Sequence, residues 1–281
     1  MPHFAPYLTQ APRDLAAWAA LFEHSQLPVL DETLASLQEL AENEDAVDAR
    51  LVADAVVNDP LMTIKLVAHV AHLRRGREGG DAETVTEAMV MLGVPPFFRA
   101  FADQPSAEQR LRDHPEALEG FRRVLQRSRR AACFAMGFAV HRMDTDAAVI
   151  HEAALLHDFA ELLLWLCAPA LAQAIEARKQ ADPTLRTAVV QQELLHIGLD
   201  ELEHRLMVKW RLPGLLVQIT DQQATTVTAQ MRNVRLAMRV ARHSAVGWDN
   251  PALPEDIADV ATLLNIAPDS ALRLLREIDA D

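Results

Sequence analysis

The sequence predicts an all-α protein, and three observations carry that prediction. Alanine, leucine, glutamate and arginine, which lose little freedom in a helix, abound, while the 281 residues include only 9 glycines and 1 tyrosine. Apolar residues recur at three- and four-residue spacing along most of the chain, and no stretch alternates at period 2 for long enough to make a strand. Helix starts are marked again and again by a capping residue or a proline, as at Asp59 and Pro60 or at Thr84.

Composition narrows the class further. Hydrophobic residues make up 50% and charged residues 24%, too apolar for a disordered chain and ordinary for a globular one. The formal charge of −13 opposes nonspecific attraction to nucleic acid or an anionic membrane. The most apolar run, Leu162 to Ala172, contains Pro169 and is too short to span a bilayer. The first residues lack the basic and continuously apolar segments of a signal peptide. Cys133 and Cys167 lie in apolar helical stretches without a metal or redox motif. A soluble cytoplasmic protein with a reduced core is the expectation.

Taken in order, residues 12–24 form a first helix with Leu15, Trp18, Ala19 and Phe22 on one face. A linker from Ser25 leads to Asp31, an N-cap candidate for a helix carrying Leu34, Leu37 and Leu40. A third helix runs from about Asp48 to Val57, with Leu51, Val52, Ala55 and Val56 inward. Asp59 caps and Pro60 pre-sets the next helix, which runs to Leu73. It ends in a polar loop holding Arg74, Arg75 and Arg77. Thr84 and Glu87 have the spacing of a capping box, in which hydroxyl and carboxylate satisfy free backbone N–H groups reciprocally; the helix they open stops at Gly93.

Pro95 and Pro96 start a short helix to Ala102, a polar connection follows, and a long helical pattern covers Pro115 to His141. Residues 149–166 are apolar on nearly every face and read as one core helix, with His157 and Asp158 side by side inside it. Pro169 forces a break before a helix to Lys179, and Asp182-Pro183 starts another to Leu195. Asp200–Trp210, a helix from Pro213 to Gln223, and an amphipathic helix over 228–245 come next. Two short helices introduced by Pro254 and Pro268 close the chain.

Five motifs stand in order: Leu27-Pro28 before a leucine-rich helix, Asn58-Asp59-Pro60-Leu61, Val85 to Gly93, Ala154 to Asp158, and Trp210 to Pro213. Together they resemble the HDOD family, bacterial output domains related to the HD metal-dependent phosphohydrolases, from about Gln26 to Gln223. The resemblance implies a multi-helix HD-like bundle, no catalysis and a place in bacterial signalling. It implies an N-terminal extension (1–25), an HDOD domain (26–225) split into an N-terminal half (26–112) and a degenerate HD-like half (113–225), and a C-terminal extension (226–281) packed on the domain.

The departures bear on chemistry. Where an active HD enzyme carries its upstream histidine, this chain has Arg127-Ser128; Ala160 and Glu161 replace the glycine and lysine after the His-Asp pair. Further histidine positions fall at Glu201 and Gln223-Ala224. His157 and Asp158 alone cannot make a four- to six-coordinate site. They read as a remnant pair with no metal or other cofactor expected, unless His151 and Glu161 are recruited. His196, Asp200 and His204 are spaced by four, although Gly198 argues for a helix break among them.

Arg122, Arg123, Arg127, Arg129 and Arg130 form a partial basic belt. Pairing with surface carboxylates is its ordinary use; contact of Arg127, Arg129 and Arg130 with an anion or partner protein is the functional one. The expectation is a non-catalytic regulatory module with a protein partner in a bacterial signalling pathway, with nucleic acid and membrane disfavoured. The competing reading is a residual HD-type phosphohydrolase acting on a nucleotide or cyclic dinucleotide.

Overall fold

A computed structural model describes the chain apart from residues 1–5, 24–25, 44–45, 75–81, 183, 222–223 and 281. Ser25, Arg75, Arg77, Pro183 and Gln223 therefore lie outside the described residues. Among the described residues, seventeen helices follow one another: α1 Leu15–Glu23, α2 Asp31–Ala41, α3 Ala49–Val56, α4 Pro60–Leu73, α5 Val85–Leu92 and α6 Val94–Phe101. Then come α7 Ala107–Leu111, α8 Pro115–Arg142, α9 Ala147–Leu156, α10 Phe159–Cys167, α11 Pro169–Ala181 and α12 Thr187–Leu195. The last are α13 Leu199–Lys209, α14 Gly214–Thr220, α15 Ala229–His243, α16 Leu253–Leu264 and α17 Pro268–Ala280. The described residues contain no strand, only an isolated parallel bridge between Val29 and Ser106.

The chain divides into two compact units, Met1–Val124 with Asp158–Pro213, and Leu125–His157 with Gly214–Asp281. These cut across the halves expected on either side of residue 112.

In the first unit, α3 and α4 pack on α5, α1 on α13, and α10 on α11 and α13. Trp18, Phe97, Phe121 and Phe159 are fully enclosed. The unit is tied together by side chains that satisfy backbone groups far away in sequence. Asp59 accepts from Leu61 N and Met62 N at 2.9 and 3.0 Å, capping α4, while its other oxygen accepts from Leu30 N at 2.9 Å. That single buried carboxylate thus anchors the start of α4 to the start of α2. Trp18 donates its indole N–H to the Leu195 carbonyl at the end of α12 (2.9 Å), and Arg110 donates to the Leu166 carbonyl (2.5 Å).

In the second unit, α9 packs on α14 and α15, α15 on α16, and α16 on α17. Arg130 clamps this set. It donates to both oxygens of Asp279 (2.7 and 3.0 Å), to Ser244 Oγ (2.8 Å) and to the Ala241 carbonyl (3.1 Å). Buried Asn233 on α15 donates to the Ala135 carbonyl of α8 at 3.1 Å. Asp256 on α16 is fully enclosed and receives Arg239 at 2.6 Å and His243 Nδ1 at 2.5 Å from α15.

Local chemistry explains where the helices differ from expectation. Asp31 opens α2 from within its first turn and leaves the N-cap position to Leu30, which has no side-chain cap bond. In α3 the inward positions include Ala53, while Leu51 is 48% exposed. Thr84 accepts from Glu87 N as a cap should, but the Glu87 carboxylate reaches Glu83 N, one residue before the reciprocal position. Asp182 accepts from both the N–H and the hydroxyl of Thr184, holding a turn that delays α12 to Thr187. The expected polar connection after Ala102 contains α7, capped by Ser106 on Gln109 N at 2.9 Å. Cys133 is exposed and not in the core.

Candidate functional site

The largest difference lies in the stretch that sequence reads as one core helix. α9 ends at Leu156, His157 and Asp158 make a turn, and α10 starts at Phe159. The His157 N–H reaches back only three residues, to Ala154 O at 3.4 Å, while Asp158 O starts the new helix by accepting from Glu161 N and Leu162 N. Both side chains of the pair are half-buried rather than enclosed, as is Glu161. The flanking apolar residues, Leu155, Leu156, Phe159 and Ala160, take the core positions. The turn spares two polar side chains the cost of full burial.

Two other ionisable groups, Glu203 and His151, are more deeply enclosed than the pair. On α13, Glu203 is 4% exposed and its carboxyl is pushed well above the usual range, first by burial and then by the charges of Asp158 and Asp200. It carries a proton at pH values where exposed glutamates do not. On α9, His151 is 9% exposed, and burial pulls it down to about 4, so it is neutral at pH 7. His151 and its neighbour Glu152 lie in the body of α9, on which α14 and α15 pack.

Glu203 was not singled out by sequence reasoning, although a signal existed. It stands four residues after Leu199 and three before Leu206, on the inward stripe of an amphipathic helix. A glutamate at such a position is a buried carboxyl by spacing alone. His196, Asp200 and His204 do not share a helix. His196 ends α12 in the left-handed region (φ 65°), Asp200 is in α13, and His196 and His204 are exposed.

The remnant pair was tested for metal fit through its donors. Among the described residues, no three His, Cys, Asp or Glu side chains gather so as to hold a metal ion, and so His151 and Glu161 complete no such group. An adjacent His-Asp pair offers two donors where a Lewis-acid centre needs at least four ligands, solvent included.

Of the arginine belt, Arg122 and Arg123 are exposed, Arg123 meeting Glu176 at 2.9 Å. Arg127 and Arg129 are half-buried, and each already has an interaction partner. Arg130 has both faces of its guanidinium committed to Asp279, Ser244 and Ala241, so its role on this geometry is to fasten α8 to α15 and α17.

An all-α protein with a His-Asp turn joining two core helices is, by class, an HD-like helical protein. The chain belongs to the HDOD domain family, whose pattern matches residues 27–226. Among solved structures it is similar to the MmoQ response regulator of Methylococcus capsulatus str. Bath, at 21% identity and a TM-score of 0.67 over 89% of this chain and 98% of that one. It is also similar to a virulence factor of Campylobacter jejuni subsp. jejuni, at 16% identity and a TM-score of 0.63 over 94% of this chain and 98% of that one. At such identities the likeness is one of fold. No curated protein matches the chain.

Proposed function

We propose that this chain is a regulatory module of a bacterial signal-transduction system, acting through protein or small-ligand contacts and not through turnover. The observation that carries this reading is the donor chemistry around the His157-Asp158 turn. Arg127 and Ser128 stand where an active relative needs its upstream histidine, and the charged neighbours of buried Glu203 are two more carboxylates, Asp158 and Asp200. A fold that keeps the pair but lacks its companions retains the shape of an HD enzyme without the means to activate water.

Membership of the HDOD family and the fold shared with a protein named as a response regulator support the signalling part. We assign it to the cytoplasm. The two free thiols, Cys133 and Cys167, suit a reducing compartment, and among the described residues no single helix is long and apolar enough to cross a membrane.

Metal analysis of purified protein, paired with a turnover panel of nucleotides and cyclic dinucleotides in Mn or Mg, tests the reading. The expected result is substoichiometric metal and no hydrolysis. Stoichiometric Mn, Fe, Zn or Mg that disappears in His157→Ala, or turnover of any member of the panel, overturns it in favour of a residual phosphohydrolase.

A further inference from the structure

Within the first unit, α1, Gln26, Leu27, α4 and α6 line an open pocket of about 370 Å³, in the size range of those that hold small ligands. Phe22, Ile64, Phe101 and Trp210 supply apolar wall, and Lys65, His69 and Gln104 supply the polar groups. Among the described residues, no carboxylate lines the pocket.

Lys65 comes from the middle of α4, where neighbours on both sides are buried. Its ammonium donates to the Leu27 carbonyl at 2.6 Å and to Gln104 Oε1. Two of its three N–H bonds are used in this way, so one remains for an acceptor in the pocket. Burial lowers the group to about 8, with the charge of Asp59 opposing that fall, so it stays largely protonated at neutral pH. His69 is held low by burial and by neighbouring His72, and its ring stands edge-on to Phe101 at 5.3 Å. At pH 7 the pocket therefore presents one partly desolvated cation on an otherwise apolar or neutral surface.

We propose that this cavity is a binding site for a small carboxylate-bearing molecule with an apolar body, its carboxylate on Lys65 Nζ and its body against Phe101 and Trp210. The charge decides the class: a neutral apolar ligand would leave the remaining N–H without an acceptor, and a cation would be repelled. The pocket's size selects a ligand of modest length, and Gln104, already fixed to Lys65, holds the ammonium in place for it. Trp210 is tilted against Phe159 at 5.9 Å, so its indole reports on the pocket and contacts the first residue of α10. This site is separate from the question of turnover at the His157-Asp158 turn: a catalytic or a non-catalytic chain would hold the same ligand.

The test uses the full chain and a panel of matched acids and alcohols, hexanoate to decanoate and 4-phenylbutyrate against their alcohols, followed by calorimetry and tryptophan fluorescence. Acids should bind saturably, at least about tenfold more tightly than the alcohols, as expected for a hydrogen bond to a charged group. Ala68→Trp, which fills the pocket from α4 while keeping the Lys65 ammonium, should abolish binding. Lys65→Met should erase the preference for acids, and Lys65→Arg should restore part of it. Absence of saturable binding by every acid, equal binding of acids and alcohols, or unchanged binding in folded Ala68→Trp each overturns the proposal.

Discussion

Buried ionisable residues set how this protein responds to pH, and the two clearest act in opposite directions. Glu203 titrates higher in the folded chain than in the unfolded one, so between its ordinary and its raised value the folded state binds more protons. Stability contributed there is present at low pH and lost as pH rises through that window. His151 titrates lower when folded, at about 4 against an ordinary value near 6.5, so between those values the unfolded state binds more protons. Its contribution is full above about 6.5 and lost as pH falls toward 4, to the extent of ~3 kcal/mol. Melting temperatures across pH 4 to 8 separate the two. Glu203→Gln should raise Tm at pH 7–8 and change it little at pH 4. His151→Leu should flatten the fall between pH 6.5 and 4. Parallel profiles for wild type and both variants would show that neither group titrates as its burial implies.

At the scale of elements, close approach of helices is bought by glycine at two points of α8, and the two differ in what they face. A Cβ on Gly120 would stand 2.4 Å from the indole ring of Trp165, which is 2% exposed and has nowhere to turn. A Cβ on Gly137 would stand 2.4 Å from Cδ1 of Ile278, the free end of a flexible side chain on half-buried α17. Gly120→Ala should cost roughly 1–3 kcal/mol, as overpacking does, although alanine favours the helix itself. Gly137→Ala should be close to neutral or slightly stabilising. Urea unfolding of both variants checks the contrast, and equal effects would remove it.

Elements were legible at several ends fixed by local chemistry, though not at Asp31 or Asp182. Asp59-Pro60, Thr84 and Gly93 mark boundaries through their own side chains or backbone freedom, and those boundaries fall as sequence predicts. The break at His157-Asp158 was not legible for a physical reason. His157 (φ −59°, ψ −31°) keeps helical angles and Asp158 (φ −111°, ψ 20°) departs only modestly, so neither a glycine nor a proline is needed to make the turn. With apolar residues on both sides, nothing local distinguishes this turn from an unbroken core helix. The pair itself was found from sequence, whereas the buried carboxyl beside Asp158 and the Lys65 pocket depend on helices distant in the chain meeting in space.

The whole molecule is divided in a way that no linker announces. Val124 and Leu125 belong to different units yet lie within α8, an uninterrupted helix with no proline after its first residue, so the usual boundary signals are missing. The second unit is completed by residues beyond the family match: α15, α16 and α17 begin only at Ala229, and α15 packs on α9. From outside the recognisable domain, α15 thus covers α9 alongside α14, while Asn233 on Ala135 O and Asp279 on Arg130 hold α8. A chain ended at residue 226 would keep the whole family pattern but strip α15 from the apolar, nearly all-round buried surface of α9. It would also leave Arg130 without its carboxylate, a loss that costs more than the ion pair itself contributes. That shortened chain is expected to aggregate or to lose its cooperative thermal transition, with α8 and α9 becoming protease-sensitive, while the full chain melts cooperatively. A monomeric, cooperatively melting 1–226 chain would mean that the family segment folds by itself and that the C-terminal helices serve a purpose other than enclosing α9.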